Sequence, residues 1–393
     1  MTIGSTSGGL PAALAIASTP GIGAIRFRRL VERFGGAERA LEASPEAWGE
    51  AIEVTSGEAA ALRSVAVGEA SREDARRSID RIGHEGVWAV PLGDPGYPPL
   101  LARIVDPPPV LFGRGRCPPP ERPAVAVVGS RRASAYGIRQ AATFAAVLCS
   151  RGIPIVSGGA RGIDAEAHRA ALRTVALAGG DRSGATVVVL GSGHGRPYPP
   201  EHRGLFEEVI DAGGAVVSEH PPWIEARPEF FPRRNRIVAG LSVGVLLVEA
   251  GARSGAGITA RLAVEDQDRM AWAIPGRIGD PGSEGTNRAI REGWVACVTG
   301  PEDLLSDLGF AGHLLRGAGI SGSGMDADGA VTAGTDPSLG REEASLLARI
   351  REHGEMPIDA VDAAGDGRAV AALTVLELLG LVRKREGVVF PAF

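Results

Sequence analysis

Val125-Ala126-Val127-Val128-Gly129-Ser130-Arg131-Arg132 reads as an apolar strand that runs into a small, charged turn. Four apolar residues in a row between Pro123 and Gly129 suit a strand buried on both faces. The same pattern recurs downstream at Pro154–Val156, Thr186–Leu190, Ala215–Val217, Val245–Val248 and Ala271–Ile274. Helical spacing fills the gaps, as with Ile138, Ala142, Ala145 and Cys149. Repeated strand–helix units with near-continuous apolar strands predict an α/β fold with a doubly wound, mostly parallel sheet.

The flanks differ from this centre. Residues 1–80 predict a small helical domain, in which Thr19-Pro20-Gly21-Ile22-Gly23 turns between two helices. In helix–hairpin–helix modules such a turn offers backbone N–H groups to a phosphate, but a plain Pro-Gly turn reads equally well. The sheet domain is placed at 81–310. Its lead-in is proline-rich, and Val110-Leu111-Phe112 there is expected to add an edge strand. Residues 311–341 are rich in Gly, Ala, Asp and Ser and read as a flexible linker. Residues 342–393 predict three helices and a hairpin with a basic first arm, Arg383-Lys384-Arg385, which is the winged-helix pattern.

Composition narrows the function. The chain has 393 residues and a formal net charge of −5, so any nucleic-acid site must be a local patch on an acidic body. Cys117, Cys149 and Cys297 are scattered, which suggests neither a disulfide framework nor a zinc site. No apolar run is long enough to span a membrane, and Met1–Gly9 lacks a secretory pattern, so a cytoplasmic protein is expected.

In an open α/β sheet, ligands bind beyond the carboxyl ends of the strands. The conspicuous loops fall there: Gly129-Ser130-Arg131, Ser157-Gly158-Gly159-Ala160-Arg161-Gly162, Gly191-Ser192-Gly193 and Glu249-Ala250-Gly251-Ala252-Arg253-Ser254-Gly255. Small residues let backbone N–H groups approach an anion, and three of the loops add an arginine. Phe230-Phe231-Pro232-Arg233-Arg234-Asn235-Arg236 puts arginines beside aromatics ahead of Ile237–Leu241. Arginine forks suit phosphates and aromatic faces suit unstacked bases, so this stretch is expected to be a nucleic-acid-binding loop.

Enzymatic readings have thinner support. Gly191-Ser192-Gly193 is only part of a dinucleotide fingerprint, because Arg196 fills the third glycine position. Asp164 and His168 share a helix face and would form a pair. The loop at Glu249–Thr259 loosely resembles the phosphate loop of Rossmann-like nucleotide phosphoribohydrolases, with Arg261 available, which makes nucleotide hydrolysis the rival reading.

Taken in order, the motifs resemble the DNA-processing protein A family (DprA, also called Smf). The resemblance rests on Val128-Gly129-Ser130-Arg131, on Ser157–Asp164 with Ala167-His168, and on Phe231–Ser242. It continues through Val248-Glu249-Ala250, Ser254-Gly255, Ile258-Thr259-Ala260-Arg261, Ala273–Gly276 and Ser283–Ile290. It implies an extended Rossmann-like sheet domain, with helix-hairpin-helix or SAM-like helices before it and a winged helix after it. It implies no nucleotide cofactor, no metal and no catalysis. The implied partners are single-stranded DNA, a second copy of the chain through the sheet domain, and RecA, onto which the strand is loaded in transformation or recombination. The nucleic-acid-binding residues it implies are Gly129, Ser130, Arg131, Gly159, Arg161, Phe231, Arg233, Arg234, Asn235, Arg236, Ser254 and Arg261. One position departs from the family: an aspartate is usual where Gly195 stands.

Overall fold

In a computed structural model, residues 9–117, 122–178 and 185–308 are described, with short pieces at 346–347, 349–350, 356–357, 382–385 and 388–391. The chain divides into two compact units, Met1–Leu305 and Ser306–Phe393.

The first unit opens with six helices: α1 (Leu10–Ala17), α2 (Ala24–Phe34), α3 (Ala37–Glu42), α4 (Pro45–Ile52), α5 (Ser56–Val67) and α6 (Glu69–His84). Local chemistry sets their ends. The Ser44 and Thr55 side chains accept the Ala47 and Glu58 N–H groups at the starts of α4 and α5. Gly35, at φ 70, stops α2 in the left-handed conformation. Leu10, Phe27, Leu30, Trp48 and Ile52 are buried in a cluster that continues into Leu101, Leu111 and Val128 of the sheet region.

A nine-stranded sheet follows. Its strands are β1 (Trp88–Pro91), β2 (Val110–Gly115), β3 (Val125–Val128), β4 (Ile155–Ser157), β5 (Thr186–Val189), β6 (Ala215–Ser218), β7 (Gly244–Leu247), β8 (Met270–Ala273) and β9 (Ala296–Cys297). The spatial order is β1-β2-β6-β5-β4-β3-β7-β8-β9. From β6 to β9 every pairing is parallel, while β1 and β2 add antiparallel partners outside β6. All residues of β3, β5, β6 and β7 are buried, as their continuous apolar runs require. The helices are α7 (Pro99–Ala102), α8 (Ala135–Ser150), α9 (Ile163–Ala178), α10 (Arg203–Asp211), α11 (Phe230–Gly240), α12 (Gly255–Arg261) and α13 (Glu284–Glu292). The doubly wound, mostly parallel sheet and the helical N-terminal part are as expected.

Two expectations need correction. The strand at Val110 is not an edge: β2 lies between β1 and β6, and the edge is β1. Trp88 closes that edge, its indole N–H bonded to the Gly115 carbonyl at 2.8 Å, over a glycine, Gly113, whose Cβ would stand 2.1 Å from the ring. Phe230–Arg236 is not a loop either but the first two turns of α11.

In the second unit, β11 (Val382–Arg385) and β12 (Val388–Pro391) pair antiparallel, and β10 (Met356–Pro357) joins β12 on its other side. The linker at 311–341 and most of the three helices expected at 343–379 lie outside the described residues, and with them the winged helix. Among the described residues no helix is long and apolar enough to cross a membrane.

Candidate nucleic-acid interface

The strand order reverses between β3 and β7, and a cleft of about 860 Å³ opens above that point. The loops after β3, β4 and β7 and the first turns of α11 and α12 line it. This is where open α/β sheets bind ligands, because neighbouring loops part there.

Backbone close packing builds the floor. A Cβ at Gly129 would meet Ile163 Cγ1 at 2.6 Å and the Glu249 carbonyl at 3.0 Å, so glycine is required. The Ser130 N–H donates to the Glu249 carbonyl, and the Ser130 carbonyl accepts from the Ile163 N–H. Three loops are thereby tied together, and the Ser130 N–H is not free for an anion as the family resemblance implied. The Ser130 hydroxyl accepts from the Arg132 N–H, which turns Arg131 and Arg132 outward into solvent.

Helix α11 sorts its residues by face. Phe231, Arg234, Asn235 and Val238 follow a three-to-four-residue spacing and face the cleft. Phe230 lies to the side, its ring 4.1 Å from that of His220. Arg233 is exposed and does not line the cleft. Arg236 points elsewhere again, bonded at 2.8 Å to Glu219 Oε2 and at 2.8 Å to Asp106 Oδ2. Burial works against its charge, but the two carboxylates override burial and raise its pKa. The clustered arginines of the sequence thus take separate tasks, and Arg236 is an internal ion-pair residue with no face toward the cleft.

Arg234 lines the cleft but is 4% exposed. Its Nη1 donates to the carbonyls of Gly158, at 2.6 Å, and Val189. The Gly158 and Ala160 N–H groups go to Asp164 Oδ2 at 3.1 and 3.3 Å. Burial pushes the Asp164 pKa up and draws that of Arg234 down to about 10, each partly offset by the other's charge. Asp164 does not pair with His168. The His168 Nδ1 meets the Thr186 hydroxyl at 2.7 Å, and burial, helped by neighbouring positive charge, lowers its pKa to about 3.

The remaining expected residues divide. Asn235 donates to the Gly255 carbonyl at 3.3 Å, and the Ser254 hydroxyl caps α12 by accepting the Ala256 N–H. Both line the cleft. Gly159 does not: it sits at φ 64 and packs toward Phe206 and Val188. Arg161 is exposed beside the cleft and paired with Glu201 at 2.5 Å. Arg261 lies in a neighbouring hollow, engaged by Glu265 and Glu292 and placed over Trp294. The cleft therefore gathers Gly129, Ser130, Arg131, Phe231, Arg234, Asn235 and Ser254, and leaves out Gly159, Arg161, Arg233, Arg236 and Arg261.

Sequence reasoning missed Tyr198 and the structural use of Glu249. Tyr198 lines the cleft with its ring 5.3 Å from Phe231. Glu249 is buried and accepts the Ser134 N–H at the start of α8, with Gly137 and Gly282 packed against its carboxylate. Among the described residues Arg131, Arg132 and Arg253 line the cleft with no carboxylate at ion-pair distance, so its mouth carries uncompensated positive charge. Among those residues no cluster of His, Cys, Asp and Glu would hold a metal.

Comparison with known proteins fits this geometry. The family described as DNA recombination-mediator protein A matches residues 88–309, and the DprA-like N-terminal HHH domain matches 12–73. Protein Smf of Synechocystis sp. is 32% identical over 95% of this chain and 96% of its own. Protein Smf of Escherichia coli is 44% identical over 58% of this chain, a match that spans 59% of the E. coli protein. The structure of DNA processing protein A from Streptococcus pneumoniae superposes with a TM-score of 0.57 at 30% identity, covering 75% of this chain and 97% of that one. A sheet of this order, the motifs along the cleft and a match across more than half its length make the chain a member of the DNA recombination-mediator protein A family.

Proposed function

We propose that the cleft binds single-stranded DNA without chemical change, protects the strand and delivers it to a RecA-type recombinase during transformation or recombination. The observation that carries this reading is Arg131. Its guanidinium lies 5.6 Å from the centre of the Phe231 ring, has no carboxylate partner among the described residues, and stands at the mouth of the switch-point cleft. A phosphate and an unstacked base are the ligand pair that an arginine over an aromatic ring serves. Arg132 and Arg253 extend the positive rim for neighbouring phosphates. In a homodimer, two such clefts would engage one strand and raise its avidity.

A hydrolase reading has less support. Asp164 lines the cleft and Glu249 is buried among its loops, and both are committed to backbone N–H groups.

Fluorescence anisotropy with labelled single-stranded and duplex oligonucleotides across a salt series tests the proposal. Tight single-strand binding that weakens steeply with salt is expected. Equal affinity for duplex, or no binding with turnover of nucleoside monophosphates, would sink it. Delivery is tested separately, by the rate at which a RecA-type recombinase assembles on pre-bound strand.

A further inference from the structure

Tyr198 is not among the residues that the family resemblance assigns to DNA, yet it shares the mouth of the cleft with Phe231. It comes from the loop after β5, whereas Phe231 comes from α11, so two separate elements bring the rings together. The ring centres are 5.3 Å apart with planes at 60°. Tyr198 remains 36% exposed, a large exposure for an aromatic side chain in contact with another. Beside it Arg161 lies 5.9 Å from the ring centre and is paired with Glu201 at 2.5 Å. Arg131, Phe231, Tyr198 and Arg161 thus form a row of two adjacent rings with a cation at each end.

Resting on the single-strand reading, we propose that Tyr198 is a second base-stacking position, one step along the strand from Phe231. The rings are too close and too steeply inclined to hold one base between them. Each offers an outer face instead. Bases in a continuous stack rise by about 3.4 Å per nucleotide, and rings 5.3 Å apart in crossed planes cannot both join such a stack. Two successive bases must therefore part to reach them, which a single strand does readily and a duplex does not. Ring faces accept any base, so the platform is indifferent to sequence. The paired Arg161 flanks the tyrosine ring, which stays partly exposed.

The test compares wild-type protein, Tyr198→Ala and Tyr198→Phe on an ordinary single-stranded oligonucleotide and on one whose central positions are abasic. Thermal unfolding of each variant is run alongside. Tyr198→Ala is expected to lose on the order of tenfold in affinity for the ordinary strand, the loss that one base–ring stack carries. Tyr198→Phe should stay close to wild type, and both variants should match wild type on the abasic strand. The slope of affinity against salt should not change, because no phosphate contact is removed. Unchanged binding by Tyr198→Ala overturns the proposal, as does an equal loss on the abasic strand. If the wild-type protein binds no single strand, the underlying DNA reading fails instead.

Discussion

Arg234 and Gly158 are in face-to-face contact: guanidinium atoms Nη2, Nη1 and Cζ lie 2.4, 2.5 and 2.6 Å from the place a Cβ would take at Gly158. The same arginine donates to the Gly158 carbonyl while Asp164 takes the Gly158 N–H, so the peptide is held from both sides. Arg234 thereby shapes the cleft from beneath. Replacing it with alanine leaves the carbonyls of Gly158 and Val189 without their donor, at a cost of about 3 kcal/mol in stability. Chemical denaturation should show that loss. If Arg234 instead holds phosphate, Arg234→Ala would keep its stability and flatten the salt dependence of DNA binding.

Arg131 and Arg253 are exposed and, among the described residues, have no acidic partner, so their removal should act on binding alone. Each phosphate contact to a single strand contributes about 0.7 to the slope of log affinity against log salt. The double variant Arg131→Ala, Arg253→Ala is expected to lower that slope by roughly 1.4 while unfolding within about 0.5 kcal/mol of wild type. An unaltered slope in the anisotropy series would remove both residues from the interface.

Arg236 makes the contrast. Its partners Glu219 and Asp106 would remain as acids beside an empty, buried place, and breaking such a pair costs about 3–5 kcal/mol. Arg236→Ala should therefore fold poorly, and a well-folded variant that merely binds DNA weakly would contradict its internal role.

His168 predicts acid sensitivity. Its folded pKa of about 3 lies below the ordinary value near 6.5. The unfolded chain therefore takes up a proton first as pH falls, and stability that is intact above about pH 6.5 declines toward pH 3. At pH 5 the penalty is about 2 kcal/mol. Denaturation at pH 7.5 and pH 5 should show His168→Gln losing less stability between the two than wild type. Parallel losses would assign the acid sensitivity to other groups.

Gly195 tests the departure from the family pattern. A Cβ there would stand 2.9 Å from Glu85 Oε2 and 3.0 Å from the Pro222 carbonyl. Gly195→Asp should therefore destabilise by about 1 kcal/mol, with much of the loss recovered in a Glu85→Gln background. A neutral or stabilising Gly195→Asp would show that the loop can move away.

The sheet was legible in the sequence because its strands are short, continuous apolar runs that end in glycine turns. Periodicity finds those without knowing their neighbours. Trp88–Pro91 escaped because an edge strand of four residues with a proline carries little pattern of its own, and its place depends on Gly113 across the pair. At the site, residue types pointed to phosphates and bases, and the fold brings Arg131 and Phe231 together at the mouth of one cleft. The sequence did not show that a helix begins at Phe230. Helical rotation sends Arg233, Arg234 and Arg236 to different surroundings, and only three-dimensional neighbours such as Gly158 and Glu219 reveal which arginine is free. Tyr198 was missed for a related reason: its contact with Phe231 spans 33 positions of the chain and leaves no local trace.

The triad of Asp106, Arg236 and Glu219 carries a lesson about where the working piece of this protein can be cut. A shortened chain that began at Pro123 would retain every parallel strand and every cleft residue. It would also lose Asp106 from beside a buried cation and strip the β2 strand from the flank of β6. The bare strand would be open to pairing with other chains, and Arg236 of α11 would keep only Glu219 of its two acidic partners. Any fragment meant to report on DNA binding must therefore start ahead of Trp88.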